Sequence, residues 1–336
     1  LDLLTCKFPD QLTGRTMGIR ADFTPQVARI DAHSMNETGV NRLCYAGTVL
    51  HAKSKSPEYC RSPIQIGAEL FGHSSVQADI EIINLMLETL EMAGLSCADG
   101  EVILDLGHVG VVASLFSAAG LERTTEFNVL DALQRKSLPD LEESLASVEP
   151  RFEEAFMELA QLNGDPLILS KVRELFCKVA PSALDAIDMV GEVVESIRLS
   201  RHQLNIYIDL AELRGYNYHT GLVFAAYTSK LGRAVANGGR YDNVGSVFGK
   251  SRAATGFAAD LKGLTDLCPS EVYQEAKSNA ISAPCLDDIE LKQAIDELRK
   301  QGECVVVQLP GDEANSNFDR HLVSSGGDWT VEPKAD

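Results

Sequence analysis

The sequence is poor in positive charge, with 30 Lys and Arg against 49 Asp and Glu, a formal net charge of −19. That balance opposes attraction to phosphate backbones and argues against general nucleic-acid binding. The short run His51-Ala52-Lys53-Ser54-Lys55 is the one basic cluster of note, and it reads as a solvated loop. No apolar run approaches the roughly 20 residues needed to cross a bilayer. The eight cysteines (6, 44, 60, 97, 177, 268, 285 and 304) form no C-x-x-C pair and have no histidine at zinc-site spacing, so they are expected to be reduced thiols in a cytoplasmic protein without a metal site. Glycines at Gly238-Gly239 and Gly311 lack the spacing of a phosphate loop or a dinucleotide fingerprint. Leu1 opens no basic or signal-like stretch and is not an initiator Met, so the native start is expected to lie upstream.

What is present is the composition of a globular chain: 336 residues, 45% hydrophobic, mean hydropathy −0.05. That size predicts two domains. Val76, Ile80, Ile83, Leu87 and Leu90 recur at three- and four-residue steps, predicting a helix over 76–93 ended by Gly94. Val102 to Leu106 reads as a strand. Helical periodicity then runs from about 109 to 200, broken at Gly120, Pro139, Pro150, Gly164-Asp165-Pro166 and Pro181. Strands are predicted again at 204–210, 222–227 and 233–237, which implies a mixed, largely antiparallel α+β sheet carrying a helical insertion. A change of composition over 268–286 reads as a linker, and 287–336 as a small α/β domain with a helix at 289–301, a strand at 304–309 and a polar end holding Trp329 and Val331. That unit is expected to lean on the main domain of residues 1–267.

Four segments carry the candidate site. They are Arg20-Ala21-Asp22-Phe23-Thr24-Pro25-Gln26, Gln65-Ile66-Gly67-Ala68-Glu69, Arg214-Gly215-Tyr216-Asn217-Tyr218-His219 and Gly238-Gly239-Arg240-Tyr241-Asp242. A zwitterionic amino acid with a polar ring needs acceptors for its ammonium, a cation for its carboxylate and polar partners for the ring. Asp22, Thr24, Gln65 and Glu69 suit the ammonium and ring nitrogens, Arg214 the carboxylate, and Tyr218, His219 and Tyr241 can wall an imidazole. Read as extended chain, residues 22 and 24 share a side, as do 65, 67 and 69, with Gly67 leaving room for a ligand. Taken singly, Gln65, Glu69 and Arg214 read better as solvated polar residues, and it is their joint spacing that shifts the balance.

Together these segments resemble the histidine-binding half of class II histidyl-tRNA synthetases: Arg20 to Thr24 is similar to the family's Arg-Pro-Glu-Gly-Thr, Gln65 to Glu69 to its Gln-x-Gly-x-Glu, Arg214 to His219 to its Arg-Gly-Leu-Asp-Tyr-Tyr, and Gly238 to Asp242 to its Gly-Gly-Arg-Tyr-Asp. His219 replaces that family's second tyrosine. On the ATP side the resemblance fails: the motif 2 arginine falls on His51 and the motif 3 arginine on Gly263, with Asp260 adding negative charge. Adenylyl transfer depends on such cations. The pattern therefore resembles the synthetase-like regulatory subunits of short-form ATP phosphoribosyltransferase. That resemblance implies a class II synthetase-like antiparallel sheet flanked by helices, no catalytic residue and no cofactor of its own. It further implies self-association into a dimer inside a hetero-octamer with the short catalytic subunit, and histidine as an allosteric effector in the first step of histidine biosynthesis. The dimer-forming motif 1 would precede Leu1. A working histidyl-tRNA synthetase, which would need a tRNA-binding domain, and an amino-acid-sensing module with another partner are the alternatives.

Overall fold

The computed structural model of the chain describes residues 2–35, 39–54, 60–211, 215–216, 218–249, 251–269, 279–309, 318–325 and 328–333. It divides into two compact units, Leu1–Leu267 and Cys268–Asp336. The first unit is built on an eight-stranded sheet whose strands are β3 (Asn41–Thr48), β4 (Ile64–Phe71), β5 (Val102–His108), β6 (Asn163–Gly164), β7 (Asn205–Asp209), β8 (Leu222–Thr228), β9 (Ala234–Arg240) and β10 (Ala254–Asp260). Their spatial order is β3-β4-β10-β9-β8-β5-β7-β6. Every neighbouring pair is antiparallel except β5 and β7. That exception follows from the crossover between them, since parallel neighbours need a long connection. A separate hairpin, β1 (Cys6–Pro9) with β2 (Thr16–Ile19), precedes the sheet.

The crossover is a set of six helices: Val109–Ala119, Arg123–Gln134, Leu138–Leu145, Pro150–Gln161, Ile168–Val179 and Leu184–Ser200. Pro139 and Pro150, which punctuate the sequence pattern, sit in first turns, where a missing N–H costs nothing. The run is not purely helical, because Asn163–Gly164 pairs with β7. Helix Val76–Met92 lies on the sheet with Ile83, Met86, Leu87 and Leu90 fully buried, as its periodicity requires. β8 is buried along nearly its whole length, which explains its unbroken apolar run Leu222-Val223-Phe224-Ala225-Ala226.

In the second unit β11 (Ile281–Pro284) runs between parallel partners β12 (Val305–Gln308) and β13 (Arg320–Ser325), and β14 (Asp328–Pro333) pairs antiparallel with β13. β11 falls inside the stretch read as a linker: its residues Ile281 and Ala283 are core, packed with Leu291, Ile295, Val305 and Leu322. The polar end likewise forms a hairpin, and Trp329 packs against that core. The helix Ile289–Lys300 is capped by Asp288, which accepts from the N–H of Glu290 at 2.8 Å and of Leu291 at 3.3 Å.

Two buried polar groups tie the sheet to its helices. Arg240, at the end of β9, donates through Nε (3.1 Å) and Nη2 (2.9 Å) to Asp79 in the first turn of helix Val76–Met92. It also reaches the carbonyls of His73 and Ser75, both at 3.2 Å. Burial raises the Asp79 carboxyl and the guanidinium opposes that rise. Arg240→Ala leaves Asp79 buried without its counter-charge, and is expected to lower unfolding free energy by about 3 to 5 kcal/mol in urea titrations. His108, at the N-cap of helix Val109–Ala119, accepts from the Gly110 N–H through Nδ1 at 3.1 Å. Burial, aided by Arg240, pushes this histidine down to about 4. The unfolded chain takes up the proton near 6.5, so stability held above that pH is lost as pH falls toward 4. His108→Asn keeps a cap acceptor without a charge; its melting temperature should fall less between pH 7 and 4.5 than that of the parent.

Candidate functional site

A cavity of about 710 Å³ opens over the centre of the sheet, floored by β4, β10, β9 and β8. Asp22, Thr24, Gln65, Glu69, Tyr218, His219 and Tyr241 all line it, so the fold brings together seven of the eight candidate ligand residues. Arg214 lies outside the described residues.

Glu69 is the centre of the arrangement. It sits near the end of β4, 2% exposed, and accepts hydrogen bonds from the hydroxyls of Thr24 (2.7 Å), Tyr45 (3.2 Å) and Tyr241. Its register partner on β10 is Gly256, where a Cβ would overlap the carboxylate; the missing side chain is what gives Glu69 its berth. Burial is the dominant influence and pushes this carboxyl up to about 8, against the hydroxyl donors that favour its charged form. Burial raises Tyr45, Tyr218 and Tyr241 as well, so all three are neutral donors at physiological pH.

Asp22 and Thr24 do not lie in extended chain. Thr24 opens the helix Thr24–Arg29, and a turn places its N–H 3.3 Å from Asp22 Oδ1. Gln65 fastens this turn with both ends of its amide, donating to Asp22 Oδ1 at 2.8 Å and accepting from the Phe23 N–H at 3.0 Å. Gln65 therefore positions Asp22. The room foreseen beside Gly67 is filled by Tyr45, its register partner on β3, whose ring stacks on Phe23 at 5.0 Å. Tyr45 was not foreseen as a site residue; the clue was the alternation along 41–48 that makes β3 a strand with Tyr45 on the pocket side.

The three rings expected to form one wall do come together. Tyr218 stacks on Tyr241 at 5.3 Å and meets His219 edge-on at 5.2 Å. The His219 ring lies between Gly215 and Gly239, where a Cβ on either would stand 2.7 Å from it. Of the Gly238 to Asp242 segment only the glycines and Tyr241 face the cavity, since Arg240 is taken up by Asp79 and Asp242 accepts from the Ala254 N–H at 2.9 Å.

The other end of the cavity corrects two expectations. His51 is buried rather than solvated, with Nε2 3.0 Å from the Ala21 carbonyl oxygen, so it holds the Asp22 turn. A guanidinium does stand beside Gly263: Arg233, just before β9, brings Nη2 to 2.9 Å from where a Cβ on Gly263 would be and lies 3.9 Å from Asp260. Asp260 is the register partner of Gln65, four residues from the pair of Gly256 with Glu69, or about 13 Å along the strand. Among the described lining residues, Asp22, Glu69, Asp105 and Asp260 face Arg233 as the sole guanidinium. A cavity lined by several carboxyl groups and a single guanidinium favours an ammonium and opposes a polyphosphate. Among the described residues no cluster of three or more His, Cys, Asp or Glu is placed to hold a metal ion, and no helix is long and apolar enough to cross a membrane.

Residues 1–264 match the family model described as histidyl-tRNA synthetase, and residues 278–332 match that described as the ATP phosphoribosyltransferase subunit HisZ C-terminal domain. A protein of Stutzerimonas stutzeri named as an ATP phosphoribosyltransferase regulatory subunit is 44% identical over all of this chain and 84% of its own length. This chain belongs to the family of ATP phosphoribosyltransferase regulatory subunits. In keeping with that family, a crystal structure from Bacillus halodurans, described as an ATP phosphoribosyltransferase regulatory subunit/histidyl-tRNA synthetase, superposes with a TM-score of 0.76 at 28% identity. The match covers 96% of this chain and 83% of that one. The ATP phosphoribosyl transferase (HisG:HisZ) complex from Thermotoga maritima shares the fold at 20% identity, TM-score 0.59, over 76% and 84% of the two chains. The class II synthetase-like α+β fold is thereby established, and the family's members are regulatory rather than catalytic subunits.

The berth of Glu69 can be probed directly. Gly256→Ala overpacks the cavity floor and should cost about 1 to 3 kcal/mol in chemical denaturation. Gly263→Ala meets the far end of the long Arg233 side chain at 2.9 Å and Asp260 Oδ2 at an ordinary 3.6 Å, and should stay within about 0.5 kcal/mol of the parent.

Proposed function

We propose that this chain is the non-catalytic, histidine-sensing subunit of a cytoplasmic short-form ATP phosphoribosyltransferase. It would bind the catalytic subunit, as a dimer within a hetero-octamer, raise that subunit's activity, and carry feedback by histidine to the first step of histidine biosynthesis. One observation carries the reading: groups suited to an amino acid and a surrounding unsuited to a phosphate share a single cavity. Asp22, Thr24, Glu69, Tyr218, His219 and Tyr241 surround a space of the right polarity for an ammonium and an imidazole. The ATP side has His51 turned to the backbone and a guanidinium neighboured by Asp260. Arg214 is the proposed partner for the ligand carboxylate. The Thermotoga maritima relative is known as a HisG:HisZ complex, which supports the choice of partner. Eight unpaired cysteines support a reducing compartment.

Titrating the chain with L-histidine should show binding that Glu69→Ala and Arg214→Ala each weaken by about 1.5 to 3 kcal/mol. Adding the chain to the short catalytic subunit should speed formation of phosphoribosyl-ATP, and histidine should then suppress it. Histidine-dependent pyrophosphate exchange should stay at background; exchange above it would restore the synthetase reading. An unchanged catalytic rate with no co-elution would leave a sensor for some other partner.

A further inference from the structure

We infer that filling this pocket with an ammonium-bearing ligand expels one proton from Glu69, so that ligand affinity and pH are read by the same carboxyl. The inference rests on the amino-acid-binding reading above and adds a coupling to it. Each group packed around Glu69 leads there. From β3 comes the neutral Tyr45 hydroxyl, from just past β9 the neutral Tyr241 hydroxyl, and from the first residue of helix Thr24–Arg29 the Thr24 hydroxyl. Tyr218 stacks behind Tyr241, Gly256 of β10 lies beneath, and Asp22 adds a negative charge that disfavours a second one. Among the described residues no Lys, Arg or His forms an ion pair with Glu69; those near the site are committed elsewhere, Arg20 over the Phe23 ring, Arg240 to Asp79 and Arg233 beside Asp260.

A carboxyl buried this deeply among neutral hydroxyls and one like charge keeps its proton at neutral pH, near 8. An arriving ammonium reverses the preference, because an opposite charge in a low-dielectric pocket favours the carboxylate. The exchange balances as carboxylic acid plus ammonium ligand giving carboxylate, bound ammonium and one free proton. By linkage, affinity for such a ligand rises by up to about tenfold per unit as pH climbs toward 8, for as long as the ligand keeps its ammonium.

The test titrates the full chain with L-histidine at pH 7 in buffers of low and high ionisation enthalpy. The slope of apparent enthalpy against buffer enthalpy counts released protons, expected at about 0.9 per histidine for a carboxyl titrating near 8, and near zero in Glu69→Gln. Should Glu69→Gln bind too weakly to titrate, the infrared difference spectrum of the parent decides: histidine should abolish a protonated-carboxyl band that Glu69→Gln lacks from the start. Histidine binding with no buffer dependence and no lost band overturns the coupling while leaving the sensing reading intact. No histidine binding at any pH overturns both.

Discussion

The buried pair of Arg240 and Asp79 is the interaction on which the rest of the first unit depends. It joins the last residue of β9 to the first turn of helix Val76–Met92, and the same guanidinium bonds the carbonyls leading into that helix. Tyr241 follows Arg240 directly, so the contact that locks sheet to helix also fixes where the Tyr241 phenol points. Both charges are almost wholly out of water, and such a pair is costly to form and more costly to break by halves. Its place is architectural: it sets the direction of one pocket wall without facing the pocket.

Inside the cavity the polar groups have arranged themselves around one another. Gln65 is consumed by the turn it holds, and Glu69 takes three hydroxyls. A pocket satisfied in this way is rigid and selective, because a ligand must offer Glu69 something better than three neutral donors. A cationic nitrogen does so, whereas a neutral group does not.

Where the resemblance to the synthetases places the ATP contacts, this chain keeps one cation. A guanidinium stands beside Gly263, supplied by Arg233 from just before β9, but Asp260 stands beside it. Such a cation is partly offset before any phosphate arrives, so retaining the charge does not retain the anion site.

Much of this was legible in the chain itself. Helix Val76–Met92, strands β5, β7 and β8, and the helices between β5 and β7 follow from apolar periodicity, which reports the face a residue turns to the core. That Asp22, Thr24, Gln65, Glu69, Tyr218, His219 and Tyr241 belong together was legible from their residue types and the order of their segments, and they do line one cavity. Strands such as β10 and β11 were hidden, since short runs like Ile281–Pro284 carry little pattern of their own and become strands only through their partners. Tyr45 filling the space beside Gly67, Gln65 turned to the backbone, and Arg233 beside Gly263 depend on which strand lies next to which. Residue chemistry and local periodicity are properties of neighbours along the chain, so the sequence determined them alone. Cross-strand register joins residue 45 to 67, a side-chain bond joins the turn at 22 to 65 on β4, and the approach to β9 brings 233 to 263; only packing around the whole sheet decided those contacts.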